Sequence, residues 1–141
     1  MNEDLQHLKI LSVFHYVVAG IGAVFACFPI LHLMTGIFML SGGFFIPDDP
    51  SLQMPFPFWM FGLMFTLIPA AIIVIGWAFA ISMAVAGYFL SKQRNYMFCL
   101  VMAGIACIFM PFGTVLGVFT LIVLLRPSVK TLFNYPPPAQ A

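Results

Sequence analysis

The stretch FWMFGLMFTLIPAAIIVIGWAFAISMAVAGYFLSKQRN, Phe58 to Asn95, decides the architecture. From Phe58 to Leu90 it carries no Asp, Glu, Lys or Arg, and it is longer than the ~20 residues a helix needs to cross the hydrocarbon of a bilayer. It then stops abruptly at Ser91-Lys92-Gln93-Arg94, a polar turn too short for anything but an antiparallel return. Working outward, a second uncharged run lies upstream from Ile10 to Phe45, and two shorter ones lie downstream, Asn95 to Met110 and Gly113 to Leu125. Of the 141 residues, 63% are apolar and 6% charged. A soluble domain of this size, with roughly 25% charged residues as the norm, has no means of hiding so much apolar surface.

The basic residues orient the runs. Lys9 precedes the first, Lys92 and Arg94 separate the second from the third, and Arg126 and Lys130 follow the fourth. With four crossings all five fall on one side, and Asp48 and Asp49 fall on the other. Lys and Arg collect on the cytoplasmic side, so the pattern predicts an all-α integral membrane protein, a four-transmembrane-helix bundle with both termini inside. These five residues are the topology anchors. Tyr16, Tyr88 and Tyr96 are expected at the inner interface, where an amphipathic ring sits well. The leader MNEDLQHLK carries both signs of charge, unlike a cleavable signal peptide.

A single membrane domain, 1–141, is expected. Helix one runs from about 10 to 41 and is kinked at Pro29; an outer loop, 42–57, holds four prolines. Helix two, 58–90, contains Pro69. Helix three, 95–110, and helix four, 113–125, form a short antiparallel hairpin broken at Pro111-Phe112-Gly113, each arm near the lower limit for spanning. A re-entrant hairpin is the alternative, with full spanning favoured because the arms carry no charge. The tail, 126–141, ends PPPAQA and is expected to be extended.

Small and polar residues form seams. On helix one, Ser12, His15, Ala19, Gly22, Ala26 and Pro29 alternate spacings of three and four, and His32 and Gly36 continue them. Helix two has Gly62, Thr66, Pro69, Ile73, Gly76, Ala80, Met83 and Gly87; helix three has Cys99, Ala103, Ala106 and Met110; helix four has the GxxxG pair Gly113 and Gly117. Helices in lipid associate by close backbone approach at such residues. Packing within the chain is the plain explanation, with Gly76, Ala80, Gly113 and Gly117 as helix-packing positions. Contact with another subunit, or the lining of a path, is the functional one.

His15 and His32 are the ionisable groups well inside the apolar runs, and such groups are functional candidates. About 25 Å of helix separates them, too far to share one metal or haem. Met60 and Met64 have a spacing that resembles the MxxxM element of copper-transport channels, without the rest of that pattern. Cys27, Cys99 and Cys107 lie in apolar runs with no CxxC spacing. No catalytic or metal-binding residue and no cofactor is assigned. No carboxylate lies within a run, and HExxH, GxSxG and Walker patterns are absent from the sequence. Net charge of +1 excludes an electrostatic nucleic-acid binder.

The segment from Cys107 to Val129, CIFMPFGTVLGVFTLIVLLRPSV, resembles a recurrent ending of small uncharacterised bacterial multi-helix membrane proteins, P-[FL]-G-T-x-L-G-x-[FY]-T-L followed by a charged residue. The opening LQHLKILSVFHY is similar to the same group. The resemblance implies a bacterial inner membrane and supplies no activity, cofactor or site. Three functions are left in competition. They are a non-enzymatic, self-associating or accessory subunit of a membrane complex, an oligomeric channel or small-solute pore lined by the helix-one seam, and a haem or metal-binding membrane subunit.

Overall fold

In the computed structural model, residues 3–42, 58–109 and 112–133 are described, and every regular element among them is an α-helix. In order these are α1 (Glu3–Cys27), α2 (Ile30–Leu40), α3 (Phe58–Lys92), α4 (Tyr96–Ala106), α5 (Phe112–Leu124) and α6 (Pro127–Leu132). The stretches Glu3–Leu40 and Trp59–Lys92 are long and apolar enough to cross a membrane. Most of the outer loop (43–57), the break at 110–111 and the tail from 134 onward lie outside the described residues.

The first helix begins at Glu3, ahead of the apolar run, with Glu3 and Asp4 in its first turn. Negative charge is favoured there because the unsatisfied N–H groups make that end of a helix positive. It stops where Pro29 withholds an amide hydrogen. The Phe28 amide bonds back to the Phe25 carbonyl at 3.1 Å, a tighter turn, and Leu33 N to Pro29 O at 2.9 Å restarts the ladder as α2. Helix one of the sequence is thus two helices with a break at Phe28–Pro29.

Pro69 leaves α3 continuous. A proline frees the carbonyl four residues back, here that of Phe65. A methyl group on Gly36 would stand 2.5 Å from the Phe65 carbonyl carbon and 2.6 Å from its oxygen. Glycine therefore lets α2 lie directly on the carbonyl that the proline leaves without its helical donor, where a Cα–H can face it. The kink residue of one helix and the glycine of the other form one joint.

The chain divides into two compact units, residues 1–22 with 79–141 and residues 23–78. In the first, antiparallel neighbours are read from facing pairs: Ser12 with Gly87 across α1 and α3, Phe89 with Phe98 across α3 and α4, Tyr96 with Leu124 across α4 and α5. Leu8, Met83, Leu90, Leu124 and Val129 are its fully buried large side chains. Left-handed Gln93 (φ 49) and Asn95 (φ 50) turn the chain from α3 into α4. Between α4 and α5, a methyl on Gly113 would meet the Ala106 carbonyl oxygen at 2.5 Å, and one on Gly117 would meet that of Ala103 at 2.5 Å. The second unit is a hairpin of α2 and the last turn of α1 against the first two-thirds of α3. It closes at Gly36, at Gly62 over Leu40, and at Gly76 over Ala26.

Two elements differ from the sequence reading. Residues 127–132, read as the start of an extended tail, are helical: Pro127 occupies the first helical position, where its missing N–H is no loss, and Val129 is fully buried. The first arm of the hairpin is also shorter than expected, at 11 residues for α4, whereas α5 has 13 residues, the expected length. At 1.5 Å per residue they measure about 16 and 20 Å, against a hydrocarbon core of about 30 Å.

Candidate functional site

The helix-one seam is the feature most able to carry function, and the structure places its members unequally. Ser12, His15, Ala19, Ala26 and Gly36 are buried; Gly22 is half-buried. His32 is exposed, although Gly36, four residues further along the same helix, is buried. The seam is covered by α3 of the same chain. Ser12 Oγ donates to the Gly87 carbonyl at 2.7 Å, a bond between helices 75 residues apart in sequence. A methyl on Gly87 would stand 3.1 Å from the His15 Cβ, so the absence of a side chain there admits the imidazole.

His15 is fully buried. Its Nδ1 lies 2.9 Å from the Leu11 carbonyl. That geometry assigns the proton to Nδ1, which donates, and leaves Nε2 as an acceptor. Nε2 is buried with no hydrogen-bond partner. An unpaired buried polar atom costs about 1–3 kcal/mol, and among the described residues this nitrogen is the one buried side-chain N or O atom without a partner.

The other polar side chains inside the first unit are engaged with backbone carbonyls. Thr120 Oγ1 donates to Leu116 O at 2.7 Å, Thr114 Oγ1 to Cys107 O at 2.8 Å, and the Tyr96 hydroxyl to Leu124 O at 3.1 Å. Cys99 Sγ sits 3.9 Å from the Ala86 carbonyl, and Cys107 Sγ 3.3 Å from that of Ala103. Tyr96 is buried, with its ring edge-on to Phe133 at 5.7 Å, whereas Tyr16 and Tyr88 are exposed.

In the second unit, His32 lies between Phe28 and Phe65, with ring centroids at 6.2 and 6.1 Å, and lines a cleft of about 290 Å³ with Met64, Pro69 and others. One imidazole and one thioether do not make a metal site, and no group of three His, Cys, Asp or Glu capable of holding a metal occurs among the described residues. Of the helix-packing positions, Gly76 meets Ala26, Ala80 is buried, and Gly113 and Gly117 close α5 onto α4.

The basic residues gather in the first unit. Lys9, Lys92, Arg94 and Arg126 are exposed and Lys130 is half-buried. The antiparallel pairings bring the start of α1, the end of α3, the start of α4, the end of α5 and α6 to one end of that unit. Arg126 Nη1 lies 3.6 Å from Asp4 Oδ1 across two of those ends. Asp4 is the partner that sequence reading missed, because nothing in spacing alone links residue 4 to residue 126. No family model, no curated protein and no solved structure matches this chain.

Proposed function

We propose that this chain is a non-enzymatic polytopic protein of a bacterial inner membrane, acting as a self-associating or accessory subunit of a membrane complex. The observation that carries the proposal is the use of its polar side chains. Among the described residues, each buried hydroxyl in the first unit donates to a backbone carbonyl. Groups tied in this way hold helices together rather than activate a nucleophile or relay a proton. The bare surface supports a membrane setting: Phe25, Leu31, Val74 and Ile75 are among many large apolar residues more than two-thirds, or nearly two-thirds, exposed.

In this proposal α1 with α2 makes one crossing and α3 another. Both termini are cytoplasmic, since the five basic residues cluster at one end of the first unit. The α4–α5 hairpin enters from that same side and turns back within the bilayer, because its arms reach only about half to two-thirds of the hydrocarbon thickness. This replaces four full crossings with two crossings and a re-entrant hairpin. A turn at that depth has to satisfy its own carbonyls. Thr114 does so, with its hydroxyl on Cys107 O and its amide 3.2 Å from Phe109 O. The pore alternative loses ground, as α3 covers the helix-one seam that would line it.

The test is crosslinking in native membranes followed by native mass measurement in mild detergent. A discrete complex larger than 15.6 kDa is expected. A stable monomer with no crosslinked partner sinks the subunit reading.

A further inference from the structure

An apolar slot of about 590 Å³ lies between α1 and α5 in the first unit. Its walls are Phe14, Val17 and Ile21 on one side and Phe112, Phe119 and Val123 on the other. His7 lines its end, and it is the one lining residue with an ionisable side chain. The two helices run antiparallel here, joined at the His7 end by Asp4 and Arg126, one turn beyond Val123. Its volume lies within the roughly 300–1,000 Å³ typical of ligand sites.

We propose that this slot holds one acyl chain of an anionic phospholipid from the cytoplasmic leaflet, with the lipid phosphate beside Arg126. The inference rests on the membrane reading above and goes beyond it. Length is the first argument. Between His7 and Ile21 the slot follows α1 for about 21 Å, and between Phe112 and Val123 it follows α5 for about 16 Å. A single leaflet offers about 15 Å of hydrocarbon, half of the bilayer core. The slot therefore runs from headgroup level to mid-depth, the dimension of a lipid chain and not of a crossing helix, which would continue past Phe112.

Charge is the second argument. At the His7 end the described residues set all five Lys and Arg against Glu3 and Asp4 alone. An excess of positive charge at the cytoplasmic surface attracts anionic headgroups. The Arg126 guanidinium is half-exposed, and its contact with Asp4 at 3.6 Å is longer than a hydrogen bond, so its forked donors are available to a phosphate. Exposed Phe112, Val115 and Phe119 leave the slot open along its length for a chain to enter sideways from the bilayer.

The test uses fluorescence quenching by phospholipids brominated on the acyl chain. The full chain carries Trp59→Phe, Trp77→Phe and Val115→Trp, which makes the reporter in the slot the only indole. It is reconstituted in phosphatidylcholine vesicles containing brominated phosphatidylglycerol or brominated phosphatidylcholine. Half-quenching is expected at about fivefold less brominated phosphatidylglycerol, the ratio that about 1 kcal/mol per basic residue produces. Arg126→Gln is expected to erase that preference. A second reporter, Ile81→Trp in the same background, sits on α3 outside the slot and is expected to show none. Equal quenching by both lipids at position 115, or a preference that survives Arg126→Gln, overturns the site. Absence of quenching at 115 alone also overturns it, since a protein surface then fills the slot. Release of the protein from membranes by alkaline carbonate overturns the membrane reading itself, and is distinguishable from all of these.

Discussion

The two units solve the same problem with different materials. Residues 1–22 and 79–141 bury Leu8, Met83, Leu90, Leu124 and Val129 completely, and add hydroxyl bonds such as Ser12 to Gly87. Residues 23–78 bury small residues at the helix contact, Ala26 and Gly36, while Phe25, Leu31, Val74 and Ile75 point outward. Two helices alone have no interior, so large side chains have nowhere to go but out, and adhesion comes from close backbone approach at glycine and alanine. A third and fourth segment create an interior, and leucine and methionine then become useful. The lesson is that bulky burial in such a protein reports the number of neighbouring segments, not the strength of hydrophobicity.

Four substitutions test this difference between the units. Gly117→Leu is expected to have the largest effect. Its Cβ would meet Ala103 O at 2.5 Å and Cys107 Sγ at 2.6 Å, backbone and side chain together. A loss of about 3 kcal/mol, the upper end for overpacking, should appear as failure to recover a monodisperse protein in mild detergent. Gly36→Leu should cost about 2 kcal/mol, less because a two-helix hairpin can splay into lipid. Thermal unfolding in detergent would then show a smaller drop than for Gly117→Leu; an equal or greater drop would erase the distinction between the units.

His15→Leu sharpens the first unit. It removes both the Leu11 bond and the unpartnered Nε2, so a change within about 1 kcal/mol of zero is expected. A loss well beyond that would reveal a partner for Nε2. Gly20→Ala comes last, since nothing lies within 4 Å of the added methyl. A gain of about 0.5 kcal/mol from helix propensity is expected, measured by the same unfolding assay.

Much of the fold was legible in residues whose chemistry is local. Pro29 withholds a donor wherever it stands, and Ser91–Arg94 is a polar turn between two apolar runs. The seam spacing anticipated the burial of Ser12, His15, Ala19, Ala26 and Gly36. What escaped were features set by partners distant in sequence. Nothing in the local sequence links Tyr96 to Leu124 O and Phe133. Asp4 gained its meaning from Arg126. The short helix α6 was hidden because Pro127 and the prolines beyond it read as a break, although proline at a first helical position is favourable. His32 followed the seam in sequence and is exposed in structure, while Gly36 beyond it is buried.

The joint of Gly36 with Phe65 and Pro69 has a further consequence for assembly. A continuous helix offers a partner the same surface at each turn, and two smooth helices can settle at several vertical offsets. Here only one carbonyl of α3 is left open by the proline, and only a residue without a side chain can reach it. Sliding α2 by one turn would bring His32 or Leu40 to that spot in place of Gly36, with no room for either. The pair thus acts as a detent, fixing at what height the hairpin locks when α3 is laid against α2.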